Sequence, residues 1–296
     1  MNTRVYKPPR RRAVAALAAL ALTATAATAW FASSEASADA DEPKTNEDTW
    51  SDEFDGAAGS PPDSSKWTHE VNGDGGGNGE LQYYTDSTDN ASLDGNGNLN
   101  ITARNENPDN LQCWYGTCEY TSARLNTATT FTQGYGHFEA RVQVTRGQGM
   151  WPAFWMLGES FFDGVSWPDC GEIDILENVG HEPSTVHGSL HGPGYSGGNP
   201  LTDSYTLPDG GVFADDFHVF AVDWSPGAVS WSVDGQQYHT KTVDDAGGNP
   251  WPFDDQAFFM IMNVAVGGEW PGPPDDTTEF PQTMTVDYVR VEAWDG

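Results

Sequence analysis

The sequence predicts an all-β sandwich of two antiparallel sheets, and three observations carry that expectation. Short strand-like runs recur through most of the chain, separated by Gly, Pro, Asn and Asp punctuation. No long amphipathic helix appears, and no internal repeat is found at a solenoid or propeller period. At 296 residues the chain could hold one large β-domain or two small ones. Because β-sandwiches often exceed about 200 residues as one unit, a single domain is expected.

The chain opens on Arg10-Arg11-Arg12, followed by an Ala/Leu run from 13 to 22 and a small-residue cleavage site, Ala36-Ser37-Ala38. Residues 1–38 therefore read as an export signal, and a secreted, extracellular protein is expected. The apolar run is too short to span a bilayer and no stop-transfer pattern follows it, so no membrane partner is expected. The adjacent arginines leave a twin-arginine route open. Residues 39–49, acidic and aperiodic, read as a flexible lead-in, and the folded domain as residues 50–296.

Charge narrows the class of partner. The formal net charge is −31 at pH 7. Loss of residues 1–38 would remove Arg4, Lys7, Arg10, Arg11 and Arg12 but only one acid, Glu35, leaving the rest more acidic still. Such a surface repels nucleic acid, anionic lipid and polyanionic substrates, so a neutral polymer is the easier partner. Of three cysteines, Cys113 and Cys118 are close enough to close a small loop, and export permits the bond. That disulfide is expected, with Cys170 left as a buried thiol. A zinc site lacks a second close cysteine pair.

In order, strand-like runs cover residues 80–85, 98–103 and 138–144, the last alternating cleanly. Residues 151–157, Trp-Pro-Ala-Phe-Trp-Met-Leu, put Trp151, Ala153 and Trp155 on one face and Phe154 and Met156 on the other. Residues 186–192 place His187, Ser189 and His191 on one face and turn Val186 and Leu190 inward. Runs at 217–224 and 229–233 lead to Asp234-Gly235, a hairpin turn, and a further strand at 236–240.

Gly171-Glu172-Ile173-Asp174-Ile175-Leu176-Glu177-Asn178 sets three carboxylates in an apolar, β-branched strand. Acids placed so repel one another and lose hydration, which calls for a partner cation or a chemical role. Strict alternation would face Glu177 away from Glu172 and Asp174. A β-bulge at Ile175-Leu176 would return it to their face. Retaining glycoside hydrolysis needs two carboxyl groups about 5 to 5.5 Å apart, one attacking the anomeric carbon and one protonating the leaving oxygen. Tryptophans 151 and 155 beside such a strand suit a sugar ring, whose apolar face stacks on indole.

The string Glu172-Ile173-Asp174-Ile175-Leu176-Glu177 resembles the active-site signature of family 16 glycoside hydrolases in its bulged, laminarinase-type form. The resemblance covers residues 50 to 296 and implies a concanavalin-like β-jelly roll with a substrate cleft on its concave face. It makes Glu172 the nucleophile, Glu177 the acid/base and Asp174 the assisting acid of an endo-β-1,3-glucanase. By the same resemblance the Trp151–Trp155 segment lines the donor side and His191 lies near the leaving-group side, with Trp167 a further candidate. Arg124, in Tyr-Thr-Ser-Ala-Arg, matches a family Thr-Ser-Gly-Arg segment with Ala123 where glycine is usual. Residues 78–84 resemble Asn-Asn-Glu-Leu-Gln-Tyr-Tyr with Gly79 in place of the second Asn, which leaves Asn78 as the sugar contact there.

The resemblance also marks three places where the family often binds structural calcium. Backbone oxygens of Glu53 and Gly97 with the Asp287 carboxylate form the expected ligand set. No cofactor is expected for catalysis, and the expected partner of a monomeric protein is a neutral β-glucan. The rivals are a β-1,3-1,4-glucanase, a galactan-cleaving enzyme or a transglycosylase on the same scaffold, and a lectin without turnover. A metal shared by His187 and His191 lacks an obvious third ligand.

Overall fold

A computed structural model of the protein describes residues 49–296. The expected export signal and residues 39–48 of the lead-in lie outside the described residues. Thr49, placed in the lead-in by sequence, already belongs to the fold: its N–H donates to the Val291 carbonyl and its hydroxyl accepts from the Ala293 N–H.

The described residues form β1 (Trp50–Asp52), β2 (Thr68–His69), β3 (Gln82–Tyr84), β4 (Ala91–Leu93), β5 (Leu99–Ala103), β6 (Gln112–Cys113), β7 (Gly116–Thr117), β8 (Tyr120–Ser122), β9 (Arg124–Asn126) and β10 (Gly136–Gln143). They continue with β11 (Met150–Gly158), β12 (Glu172–Glu177), β13 (Thr185–His191), β14 (Leu201–Thr206), β15 (His218–Ser225), β16 (Ala228–Val233), β17 (Gln236–Thr242), β18 (Phe258–Val266) and β19 (Gln282–Ala293). Among the described residues, helix is confined to short 3-10 turns, one of them Glu159–Asp163.

Two antiparallel sheets result. One has eight strands in the order β17-β16-β15-β10-β19-β5-β4, with β1 also on β19; the other has seven, β14-β13-β12-β11-β18-β9-β2. Outside this sandwich lie a parallel pair, β3 with β8, and the hairpin β6-β7. Period-two alternation builds the core between the sheets. Phe138, Ala140 and Val142 of β10 point into it from one side, and Phe154 and Met156 of β11 from the other. Each such large side chain contributes about 1.5–3 kcal/mol by leaving water.

β18 is apolar almost throughout because both its faces are covered. Phe258, Met260, Met262, Val264 and Val266 join the main core. Phe259 and Ile261 point the other way and pack with Leu157 and Cys170 in a second small cluster, against Trp155. The outer face of the seven-stranded sheet thus has an apolar floor on one side of β11. On the other side lie the acids of β12.

Candidate active site

The bulge expected in β12 is present. Asp174 pairs with Trp155 and Leu176 with Phe154, so Ile175 is the extra residue against β11. Against β13, Asp174 pairs with Ser189 and Glu177 with His187, so that Ile175 and Leu176 together oppose Gly188. Both bulged residues are buried with the core, and Glu172, Asp174 and Glu177 share the opposite face. The eight-stranded sheet helps to hold this geometry. Trp231 of β16 donates its indole N–H to the Asp174 carbonyl at 2.7 Å. It reaches the strand past Gly188, where a Cβ would stand 2.4 Å from the indole.

Burial sets the charge state of the acids. It pushes the Glu172 carboxyl up to about 8, reinforced by the charge of Asp174 and opposed by His191, Arg124 and a hydrogen bond from Trp167. Asp174 is raised by burial, and Glu177 is raised well above the ordinary carboxylate range by burial and then by the charges of Asp174 and Glu172. The cations are not shared equally. Arg124 acts on Glu172, whereas Glu177 has Trp151 as its donor, 3.1 Å from Oε1. Between the two outer acids, a single negative charge therefore rests best on Glu172, on which Arg124 acts, and a proton on Glu177.

His191 joins the acids directly. Its Nδ1 accepts the Gly197 N–H at 3.1 Å, which in the neutral ring leaves the proton on Nε2. Nε2 lies 3.2 Å from Asp174 Oδ2 and 3.7 Å from Glu172 Oε1. Asp174 Oδ2 nevertheless makes no well-formed hydrogen bond, a buried acceptor able to take a shared proton.

Aromatic residues surround the acids. Trp155 donates to Asn263 Oδ1 at 2.8 Å, and Asn263 donates to Tyr84, whose hydroxyl bonds to Glu80. The Arg124 guanidinium lies over the Trp155 ring at 4.6 Å and pairs with Glu70 at 3.3 Å. Trp151 meets Trp270 edge-on at 5.4 Å, and Trp270 meets His187 at 5.0 Å. On the other side Trp167, 42% exposed, sits 5.8 Å from His191.

Residues 79–290 match the glycosyl hydrolases family 16. The chain belongs to that family. Among solved structures, the laminarinase catalytic domain of Thermotoga maritima superposes with a TM-score of 0.78 at 46% identity, covering 84% of this chain and 99% of that one. The endo-β-1,3-glucanase of Pyrococcus furiosus does so with a TM-score of 0.75 at 47% identity, covering 82% and 93%. A β-glucanase of Rhodothermus marinus is 42% identical over 254 residues, 83% of this chain and 84% of that protein. The sandwich is therefore the family's β-jelly roll, and the chain is a glycoside hydrolase of a family that works with retention of configuration.

Within this family 16 chain, the sequence candidates Glu172, Asp174, Glu177, Trp151, Trp155, Trp167 and His191 all come together on one face. Arg124 comes there too, as a mostly buried side chain packed on Trp155; burial works against its charge, and Glu70, Tyr84, Glu80 and Glu172 outweigh it. Asn78 donates to Glu80 at 3.3 Å and its carbonyl accepts from Glu269. His187 pairs with Glu182 at 3.0 Å and stands apart from His191. The only grouping of metal-type donors among the described residues is Glu172, Asp174 and His191, whose atoms lie within 4.8 Å of one another. These are the acids and their histidine, not a His187–His191 pair.

Two tryptophans were not singled out from sequence. Trp270 follows Gly267-Gly268-Glu269 in a loop without periodicity, and only its long-range contacts with Trp151 and His187 place it here. Trp114 lies inside the loop closed by Cys113 and Cys118, which form the expected disulfide. Cys170 is a buried thiol whose pKa burial pushes up to about 11, so it is inert beside the acids.

The residues of the expected calcium site lie beside paired strands. A Cβ on Gly97 would lie 3.8 Å from the Glu53 carbonyl oxygen and 4.0 Å from Asp55 Oδ1. The pairs Asp52–Val289 and Leu99–Val286 set β19, which carries Asp287, against the strands next to Glu53 and Gly97. Asp287 is itself paired with Arg141, so an ion there would share its carboxylate with that cation.

Proposed function

We propose that this family 16 enzyme is a secreted endo-β-1,3-glucanase that cuts internal bonds of a neutral β-glucan. Glu172 is the nucleophile, Glu177 the acid/base and Asp174 the assisting acid. The observation that carries this reading is the Ile175-Leu176 bulge, which sets Glu177 on the face of the other two acids with Trp151 as its donor.

In the first step a Glu172 oxygen bonds to the anomeric carbon as the glycosidic C–O bond breaks, and the Glu177 proton passes to the leaving oxygen. Glu177, now ionised, takes a proton from water; the hydroxide oxygen bonds to the anomeric carbon and Glu172 leaves as carboxylate. Asp174, with His191 Nε2 at 3.2 Å from its Oδ2, shares the charge of the cluster. Trp151, Trp155, Trp167 and Trp270 give the sugar rings apolar faces to stack on. The β-1,3 preference is supported by the laminarinase and endo-β-1,3-glucanase names of the relatives. Export is supported by the signal-like residues 1–38.

Product analysis on laminarin, curdlan, lichenan and agarose, with the anomer followed by NMR, tests this directly. Internal cleavage of laminarin with the β-anomer appearing first is expected. Cleavage confined to agarose or lichenan would sink the substrate assignment, and first appearance of the α-anomer would sink retention.

We further infer that Glu53, Gly97 and Asp287 hold a structural Ca²⁺ remote from the acids, supplying only stability. Adding a chelator to purified protein should then lower Tm, and an unchanged Tm on both chelation and calcium addition would remove the site.

A further inference from the structure

The disulfide-closed turn at 113–118 presents an indole that is exposed yet fixed at its edges. Trp114 is 58% exposed, but its Nε1–H donates to the Glu80 carbonyl and its backbone N–H to the Gly73 carbonyl, both at 2.8 Å. Tyr115 packs edge-on to it at 5.4 Å and is itself tied down, donating its hydroxyl to the Leu81 carbonyl at 2.7 Å. Gly75 leaves it room, since a Cβ there would stand 2.8 Å from the ring.

Ordering an exposed side chain costs rotamer entropy that burial does not return here. With the indole N–H already bonded, the surface Trp114 offers is its apolar face. That face suits a neutral sugar ring and offers no hydrogen-bond donor to an anion.

A run of contacts links it to the site already described. Glu80, which anchors the indole, also bonds Asn78; the Asn78 carbonyl accepts from Glu269, next to Trp270; and Trp270 lies against Trp151, the donor to Glu177. We propose that Trp114 is a distal stacking platform for the same glucan chain, remote from the scissile bond, with Cys113–Cys118 as its positioning element. This rests on the glucanase reading above and adds to it a dependence on chain length.

The test compares kcat/KM on laminarihexaose and laminaritriose for wild type, Trp114→Ala and Trp114→Phe, with Tm measured for each. In Trp114→Ala the long-to-short ratio should fall roughly three- to tenfold, mainly through KM. Trp114→Phe keeps a ring but loses the bond to Glu80, and should fall between; it carries the test if the alanine variant does not fold. The Cys113→Ser/Cys118→Ser double variant should move the ratio in the same direction. A wild-type ratio in the folded variants, or equal loss on both lengths, overturns the platform. Failure of the unsubstituted enzyme to cut laminarin would instead overturn the glucanase reading itself.

Discussion

On the outer face of the eight-stranded sheet, charges meet in pairs of opposite sign. Arg290 holds both oxygens of Glu53 at 2.9 Å, Arg141 pairs with Asp287, and His137 sits between Asp223 and Glu139. Hydrogen bonds donated to those two acids raise His137 to about 10, so it carries a charge opposite to that of its neighbours. On the outer face of the seven-stranded sheet, three acids are gathered with one histidine beside them and one arginine behind a tryptophan. There burial and mutual repulsion push Glu172 up to about 8 and hold Glu177 well above the ordinary carboxylate range. Paired surface charges add little to stability and carry no chemistry. Like charges drawn together out of water cost stability and leave a proton poised for transfer.

The largest expected effect breaks the like-charge side. Glu172→Gln should lower turnover of laminarin on the order of a thousandfold or more, read as reducing ends released. It should also raise Tm. The folded-state pKa of Glu172 lies above its unfolded value, so wild-type stability falls as pH rises from about 4.5 through about 8. The variant lacks that cost, and its gain of roughly a few degrees should be absent near pH 4 and grow toward pH 8. A variant no more stable than wild type at pH 8 would contradict the burial argument.

A smaller effect sharpens the asymmetry between the two outer acids. Arg124 opposes the rise of Glu172 and packs on Trp155. Arg124→Met should lower kcat/KM roughly ten- to a hundredfold and move the acidic limb of its pH profile upward, because the nucleophile would ionise less readily. An acidic limb that stays where it is would show that Arg124 does not support that charge. The smallest effect tests the paired side: Arg290→Gln should change stability by about 1 kcal/mol or less in denaturant unfolding, with kcat/KM unaltered.

The sequence carried the strands and the acids because both are local patterns. Alternation in residues 138–144 and 151–157 names the inward face, and three acids in an apolar run leave a bulge as the only way to share one face. Other features depend on partners far along the chain. Trp270 is read only through Trp151 and His187, more than eighty residues before it. The sequence marks Arg124 but not its contacts with Trp155 and Glu70, which lie far along the chain. Trp231, which pins the bulge from the opposite sheet, is an ordinary core residue in its own strand pattern and gains its role only because Gly188 leaves a gap.

The division of labour between Glu172 and Glu177 is the centre of this account, and azide rescue of Glu177→Ala on an activated β-glucoside measures it most directly. With Glu172 intact the glycosyl-enzyme still forms, and azide, which needs no general base, should restore turnover and give the β-glycosyl azide. Loss of activity that azide does not restore, or formation of the α-glycosyl azide, would contradict the assignment of Glu172 as nucleophile and Glu177 as acid/base.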